Sequence, residues 1–229
     1  DVYKRQSRVI GKMEKPNILL IVVDCLRADR CPIDTDASHL PCWSQLRSKG
    51  ICFSQIITSS TYTPPSFSSL LSGLYPYQHG VRTLEGPPIN PNVPTLATFL
   101  KNTGYHTYAY PTGPLIEVFG LNAGFNVYEH RTRENNVYSD WGDYIFNKFA
   151  ENYFQPPWFT LLHFFEVHRP RQFTSEKTIS HPVQKYDLAW KQLDAWLSKL
   201  LEHVPQNTII VLTADHGDCL LYTSDAADE

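Results

Sequence analysis

Residues 61–76 read Thr61-Tyr-Thr-Pro-Pro-Ser-Phe-Ser-Ser-Leu-Leu-Ser-Gly-Leu-Tyr-Pro76. Proline is favoured in the first turn of a helix, where its missing N–H would have no partner anyway. Thr63 therefore reads as a helix N-cap, residues 64–72 as the helix, and Gly73 as its stop. The positive helix end and its free backbone N–H groups would surround the Thr63 hydroxyl, an arrangement suited to a tetrahedral oxyanion such as phosphate or sulfate. The plainer alternative is that Thr63 only caps the helix.

Two stretches further out bear on that choice. Residues 17–23 are an unbroken Ile/Leu/Val run behind Asn17, as expected of a strand buried on both faces of a parallel sheet, and Asp24 follows directly. Thr208-Ile-Ile-Val-Leu-Thr-Ala214 repeats the pattern and is followed by Asp215-His216-Gly217-Asp218. Acids just beyond the carboxyl ends of strands occupy the usual ligand-binding position of open α/β sheets. Asp24 reads either as a carboxylate capping the next turn or as a metal ligand.

Together the three stretches resemble the N-terminal part of the sulfatase family, within the alkaline phosphatase superfamily. That pattern has an Asp after the first strand, a Cys-x-Pro-Ser-Arg nucleophile turn followed by Leu-x-Thr-Gly-x-x-Pro, and a late Asp-His-Gly or Asp-Asn-Gly. Thr63-Pro-Pro-Ser-Phe67, Leu71-Ser-Gly73 and Tyr75-Pro76 fall on the middle motif. The resemblance runs over roughly residues 16 to 218. It implies Asp24, Thr63, Asp215 and His216 as metal ligands and Thr63 as nucleophile. Three oxygens and one nitrogen suit Mn²⁺, Zn²⁺ or Mg²⁺ better than Ca²⁺. The family often shows Asp-x-His-x-Pro where this chain has Glu166-Val-His168-Arg-Pro170, so His168 is a candidate to bind the anion or protonate the leaving group. His79, in a His-Gly pair, could help shape the site or be structural. His163, inside an apolar run, is read as a core histidine. Cys25, where relatives carry Asp or Ser, is read as a small packed residue.

The departures bear on the substrate. Sulfatases make formylglycine from Cys or Ser; here Thr63 stands at that position and Phe67 replaces the Arg. Threonine cannot become formylglycine. The expectation is a metal-dependent hydrolase or transferase acting on phosphodiester, phosphonate or phospholipid head-group esters. The alternatives are a sulfuric ester hydrolase and a catalytically silent binding module.

The chain has 229 residues, 42% of them hydrophobic and 19% charged, values of a globular domain with a real core. A net charge of −3 gives no electrostatic case for nucleic acid, and no apolar run approaches the roughly eighteen residues of a membrane span. Cysteines 25, 31, 42 and 52 lack zinc-site spacing and are too clustered for a disulfide framework, which points to a reducing, cytoplasmic setting. Asp1 to Gln6 and Cys219 to Ser224 can be encoded by one inverted nucleotide sequence, as from a sequencing adapter. Residues 1–6 and 219–229 are therefore set aside, the catalytic domain is placed at 13–218, and the protein is expected to continue beyond it. Met13 is a possible start, which would leave no signal peptide.

The predicted fold is a three-layer α/β sandwich with a mainly parallel central sheet, alkaline phosphatase-like and incomplete at its C-terminus. Its strands are expected near 17–23, 51–58, 105–110, 158–165 and 208–213. Helices are expected at 39–49, 64–72, 95–102, 138–152 and 186–203. The last has Ala189, Leu193, Trp196, Leu197, Leu200 and Leu201 on its buried face.

Overall fold

The computed structural model describes residues 14–174 and 179–220. Five strands form one sheet: β1 (Asn17–Val23), β2 (His106–Tyr110), β3 (Val127–Tyr128), β4 (Trp158–Phe164) and β5 (Thr208–Ala214). Their order is β3-β2-β4-β1-β5, and every pairing is parallel. β1 lies between β4 and β5, in register with β4 (Val22 beside His163) and with β5 (Val23 beside Ala214).

Alternate residues of β1 feed two cores. Leu19, Ile21 and Val23 join one with Leu162, Phe164, Tyr186, Trp190 and Leu197. Leu20 and Val22 join the other with Phe67, Leu71, Ala97, Leu100 and Phe159. The strand period of two thus puts an apolar side chain on each face, and helices cover both. The first face carries α1 (Pro41–Lys49), α5 (Asp140–Ala150) and α6 (Pro182–Leu201); the second carries α2 (Thr63–Ser72) and α4 (Leu96–Asn102). A single turn, α3 (Pro76–His79), follows α2. This is the three-layer sandwich expected. No described helix is long and apolar enough to cross a membrane.

Several expectations need correcting. Residues 51–58 are not a strand but an irregular, largely exposed segment. The two-residue β3 takes a place in the sheet instead, too short to register as a pattern. Tyr62 is the N-cap of α2, without a capping bond from its side chain, and Thr63 is the first helical residue. Gly73 ends this helix with φ 70°, the left-handed region that glycine enters most readily. Of the stretch set aside at the C-terminus, Cys219 is exposed while Leu220 is buried in the first core; residues 1–6, Met13 and 221–229 lie outside the described residues.

Candidate active site

Parallel β1 and β5 end side by side, so the residues just past them meet. Asp24 is fully buried, and Asp215 and His216 nearly so. α2 starts above this edge and brings Thr63. The Thr63 Oγ1–H donates to Asp24 Oδ2 at 3.0 Å and lies 3.2 Å from His216 Nε2. His216 Nε2 is 3.4 Å from Asp215 Oδ2. The four side chains taken from the sequence as metal ligands therefore converge.

Hydrogen bonds to the backbone fix their orientation. Cys25 N–H (3.3 Å) and His216 N–H (2.8 Å) both donate to Asp215 Oδ1. Asp215 O accepts from Ser66 Oγ at 2.5 Å and Thr58 Oγ1 at 2.7 Å, tying α2 and the 51–58 segment to the end of β5. Cys25 has φ 62°, and its carbonyl accepts from Tyr186 Oη at 2.8 Å, which locks the turn after β1 onto α6. Cys25 is buried and packed, as expected of a small residue there, although its Sγ also lies 3.8 Å from His216 Nδ1.

His216 Nδ1 faces Gly217 O at 2.8 Å. A carbonyl only accepts, so Nδ1 carries the proton and Nε2 keeps its lone pair. Asp24 Oδ1 and Asp215 Oδ2 are buried with no hydrogen-bond partner. Two orphaned carboxylate oxygens in one cluster with an imidazole lone pair and a hydroxyl oxygen have the donor chemistry that suits a divalent cation. Ligand atoms of Asp24, Cys25 and His216 lie within 4.8 Å of one another, as do those of Asp24, His163 and Asp215. Burial pushes Asp215 above the usual carboxylate range, and the charge of Asp24 adds to this. Burial pushes Asp24 the same way, but contact with His163 outweighs it and holds this carboxyl below its ordinary value. Two buried acids so close are costly without a cation.

One expectation about the helix start fails. Pro64 and Pro65 have no N–H, and Ser66 N–H already donates to Tyr62 O at 3.1 Å. The turn that should cradle an oxyanion offers few free backbone donors.

His168 lines the same cavity as Thr63, Asp215 and His216. It is half-buried and stacked on Phe165 with ring centroids 4.1 Å apart; its Nδ1 faces Arg169 O at 2.7 Å, leaving Nε2 with a lone pair. Burial lowers its pKa, against the pull of Asp24. His79 is buried outside this cluster, where its ring takes part in structural bonds to Ser69 Oγ at 2.9 Å and Val81 N at 3.2 Å. His163, read as a core residue, is fully buried yet reaches the site: its Nε2 is 3.4 Å from Asp24 Oδ2. Sequence reasoning also missed Ser66 and the grip of Arg171 on Asp218 beside the cavity. Ser66 lies one helical turn beyond the N-cap, a spacing that offered a signal; the Arg171 pairing spans 47 residues and offered none.

The Sulfatase family model matches residues 16–226. A Delta 4,5-hexuronate-2-O-sulfatase of Bacteroides thetaiotaomicron is 35% identical over 98 residues, 40% of this chain and 20% of that protein. Among solved structures, a 2-O GAG sulfatase superposes with TM-score 0.69 at 20% identity, covering 90% of this chain and 58% of its own. A protein of the alkaline phosphatase superfamily from Vibrio parahaemolyticus gives 0.64 at 17% identity, covering 93% and 57%. The C-terminal periplasmic domain of EcEptC from Escherichia coli, in complex with Zn, gives 0.66 at 15%, covering 92% and 66%. The chain thus spans a fifth of the curated relative and under two thirds of these structures. With most of its length matched by the family model and its sheet shared with these structures, the chain belongs to the sulfatase family, a family of ester hydrolases.

Proposed function

We propose that this chain carries the nucleophile and part of the metal site of a hydrolase or transferase that attacks phosphate-type esters through Thr63. The observation that carries the proposal is the surroundings of one hydroxyl. Thr63 Oγ1–H donates to Asp24 Oδ2 at 3.0 Å, so that carboxylate oxygen is in place to take the proton as the hydroxyl oxygen attacks, while the His216 Nε2 lone pair, 3.2 Å away, is left for the cation. Asp24, Thr63, Asp215 and His216 would hold a divalent ion, Mn²⁺, Zn²⁺ or Mg²⁺ by donor type, and that ion would supply positive charge for the nucleophile and the oxyanion. His168, when protonated, would serve the leaving group from the other side of the cavity; its Nδ1–H is engaged with Arg169 O, so the second proton goes on Nε2. Phosphodiesters, phosphonates and phospholipid head groups are the candidate substrates.

The named sulfatases among the relatives favour a second reading, sulfuric ester hydrolysis. The chemistry of Thr63 opposes it. A sulfated aldehyde hydrate can expel sulfate when its second hydroxyl loses its proton and re-forms the aldehyde, and a threonine sulfate ester has no such exit. The test compares a chromogenic phosphodiester with the matching sulfate ester in the full-length protein, with and without Mn²⁺ or Zn²⁺. Metal-dependent turnover of the phosphodiester, with the sulfate nearly inert, is expected. Strong sulfatase activity that survives Thr63→Ala would overturn both the substrate and the nucleophile.

A further inference from the structure

His163 sits in mid-strand, paired with Val22 of β1 and packed edge-on against Phe67 of α2 with ring centroids 4.8 Å apart. Its Nδ1 accepts from the backbone N–H of Thr112 at 3.3 Å. An amide nitrogen cannot accept, so Nδ1 holds the lone pair and a neutral ring must carry its proton on Nε2. That nitrogen is buried, has no partner in the usual hydrogen-bond geometry, and lies 3.4 Å from Asp24 Oδ2. His216 is held the other way round, with its proton toward Gly217 O and its lone pair toward the cluster. The two imidazoles nearest Asp24 thus present opposite faces, one an acceptor and one a donor.

We infer that His163 is a positioning residue for Asp24: its Nε2–H holds Oδ2 and leaves Oδ1 free for the cation. This rests on the metal site proposed above. The alternative is that His163 is itself a ligand, since its ring lies close enough to Asp24 and Asp215. The tautomer decides against it, because a nitrogen that carries a proton has no lone pair to give. Thr63 Oγ1–H also donates to Oδ2, so both donors fall on one oxygen and the unpartnered one is Oδ1. Ligating carboxylates are commonly oriented by hydrogen bonds in this way.

The experiment uses metal-stripped full-length protein titrated with Zn²⁺ against a fluorescent chelator. His163→Phe, which fills the space without an N–H, should weaken binding about 10–100-fold. His163→Gln, which can accept from Thr112 and donate to Asp24, should restore most of that loss. Pulsed EPR of the Cu²⁺-loaded wild type should count one coordinating imidazole, and this needs no variant that might fail to fold. Two coordinating imidazoles, a folded His163→Phe protein that binds Zn²⁺ like wild type, or a Gln variant as weak as the Phe variant would overturn the inference. A wild type that binds no divalent ion, or binds it equally after Asp24→Asn and Asp215→Asn, would overturn the metal site itself and this inference with it.

Discussion

The Thr63 hydroxyl is engaged with Asp24 and His216 rather than with the backbone of α2, so its removal tests chemistry more than folding. Thr63→Ala is expected to lower kcat on the order of a thousandfold or more, because among the described residues no other hydroxyl is bonded to Asp24 and His216. The same change should cost about 1 kcal/mol of stability or less, read from thermal unfolding. Thr63→Ser keeps the oxygen and should keep part of the rate. A Thr63→Ala protein that turns over normally would remove Thr63 from the reaction. That Asp24, Thr63, Asp215 and His216 would meet was legible in the sequence, because each stands where an apolar run ends or a helix begins; their role as ligands is what the family resemblance implies. The place of His163 beside them was not legible. It lies within Trp158–Phe164, and nothing in that stretch tells a histidine facing a carboxylate from one packed among hydrocarbon.

At the scale of elements, α1 depends on α6. Asp194, buried in α6, accepts from Cys42 N–H at 3.0 Å and Trp43 N–H at 2.8 Å, capping the first turn of α1 from another helix. Asp194→Ala would leave two N–H groups without their partner, and is expected to cost roughly 1–3 kcal/mol in urea unfolding. Burial pushes the Asp194 carboxyl from 3.8 up to about 6, against those two hydrogen bonds. An acid with a raised folded-state pKa holds its proton more tightly when folded. Its contribution to stability therefore falls as pH rises from 3.8 to about 6, and is flat above that. Asp194→Asn should flatten that segment of the profile; an unchanged slope would contradict it. The elements the sequence disclosed best are those with long periodic faces, such as α6, whose buried Ala189, Leu193, Leu197, Leu200 and Leu201 follow helical spacing. It misled at 51–58. Those residues have strand-like composition, but pairing is a property of neighbours, and Ile51, Phe53, Ile56 and Ile57 are left exposed.

For the whole molecule, the sheet has an open side. β5 pairs with β1 alone among the described strands, and Ile209 and Val211 on it are 50% and 41% exposed. Together with the apolar 51–58 segment they form an edge of the kind that recruits further strands. The 229-residue chain, prepared alone, is expected to self-associate in light scattering. Val211→Lys should shift it toward monomer, as charge on an edge strand opposes pairing. A wild-type chain that stays monomeric at high concentration would show that this edge is already satisfied.

The place of β1 between β4 and β5 also has a consequence for the timing of synthesis. Asp24 leaves the ribosome early, while Asp215 lies 190 residues from its neighbour Cys25. At typical elongation rates the second carboxylate follows about 10–40 s after the first. Through that interval the first strand lacks β5, gains β4 only in the final quarter, and half of the proposed cation donors do not yet exist. Thr63 is therefore made about 150 residues before Asp215 and His216, and the proposed site can assemble only once β5 has emerged.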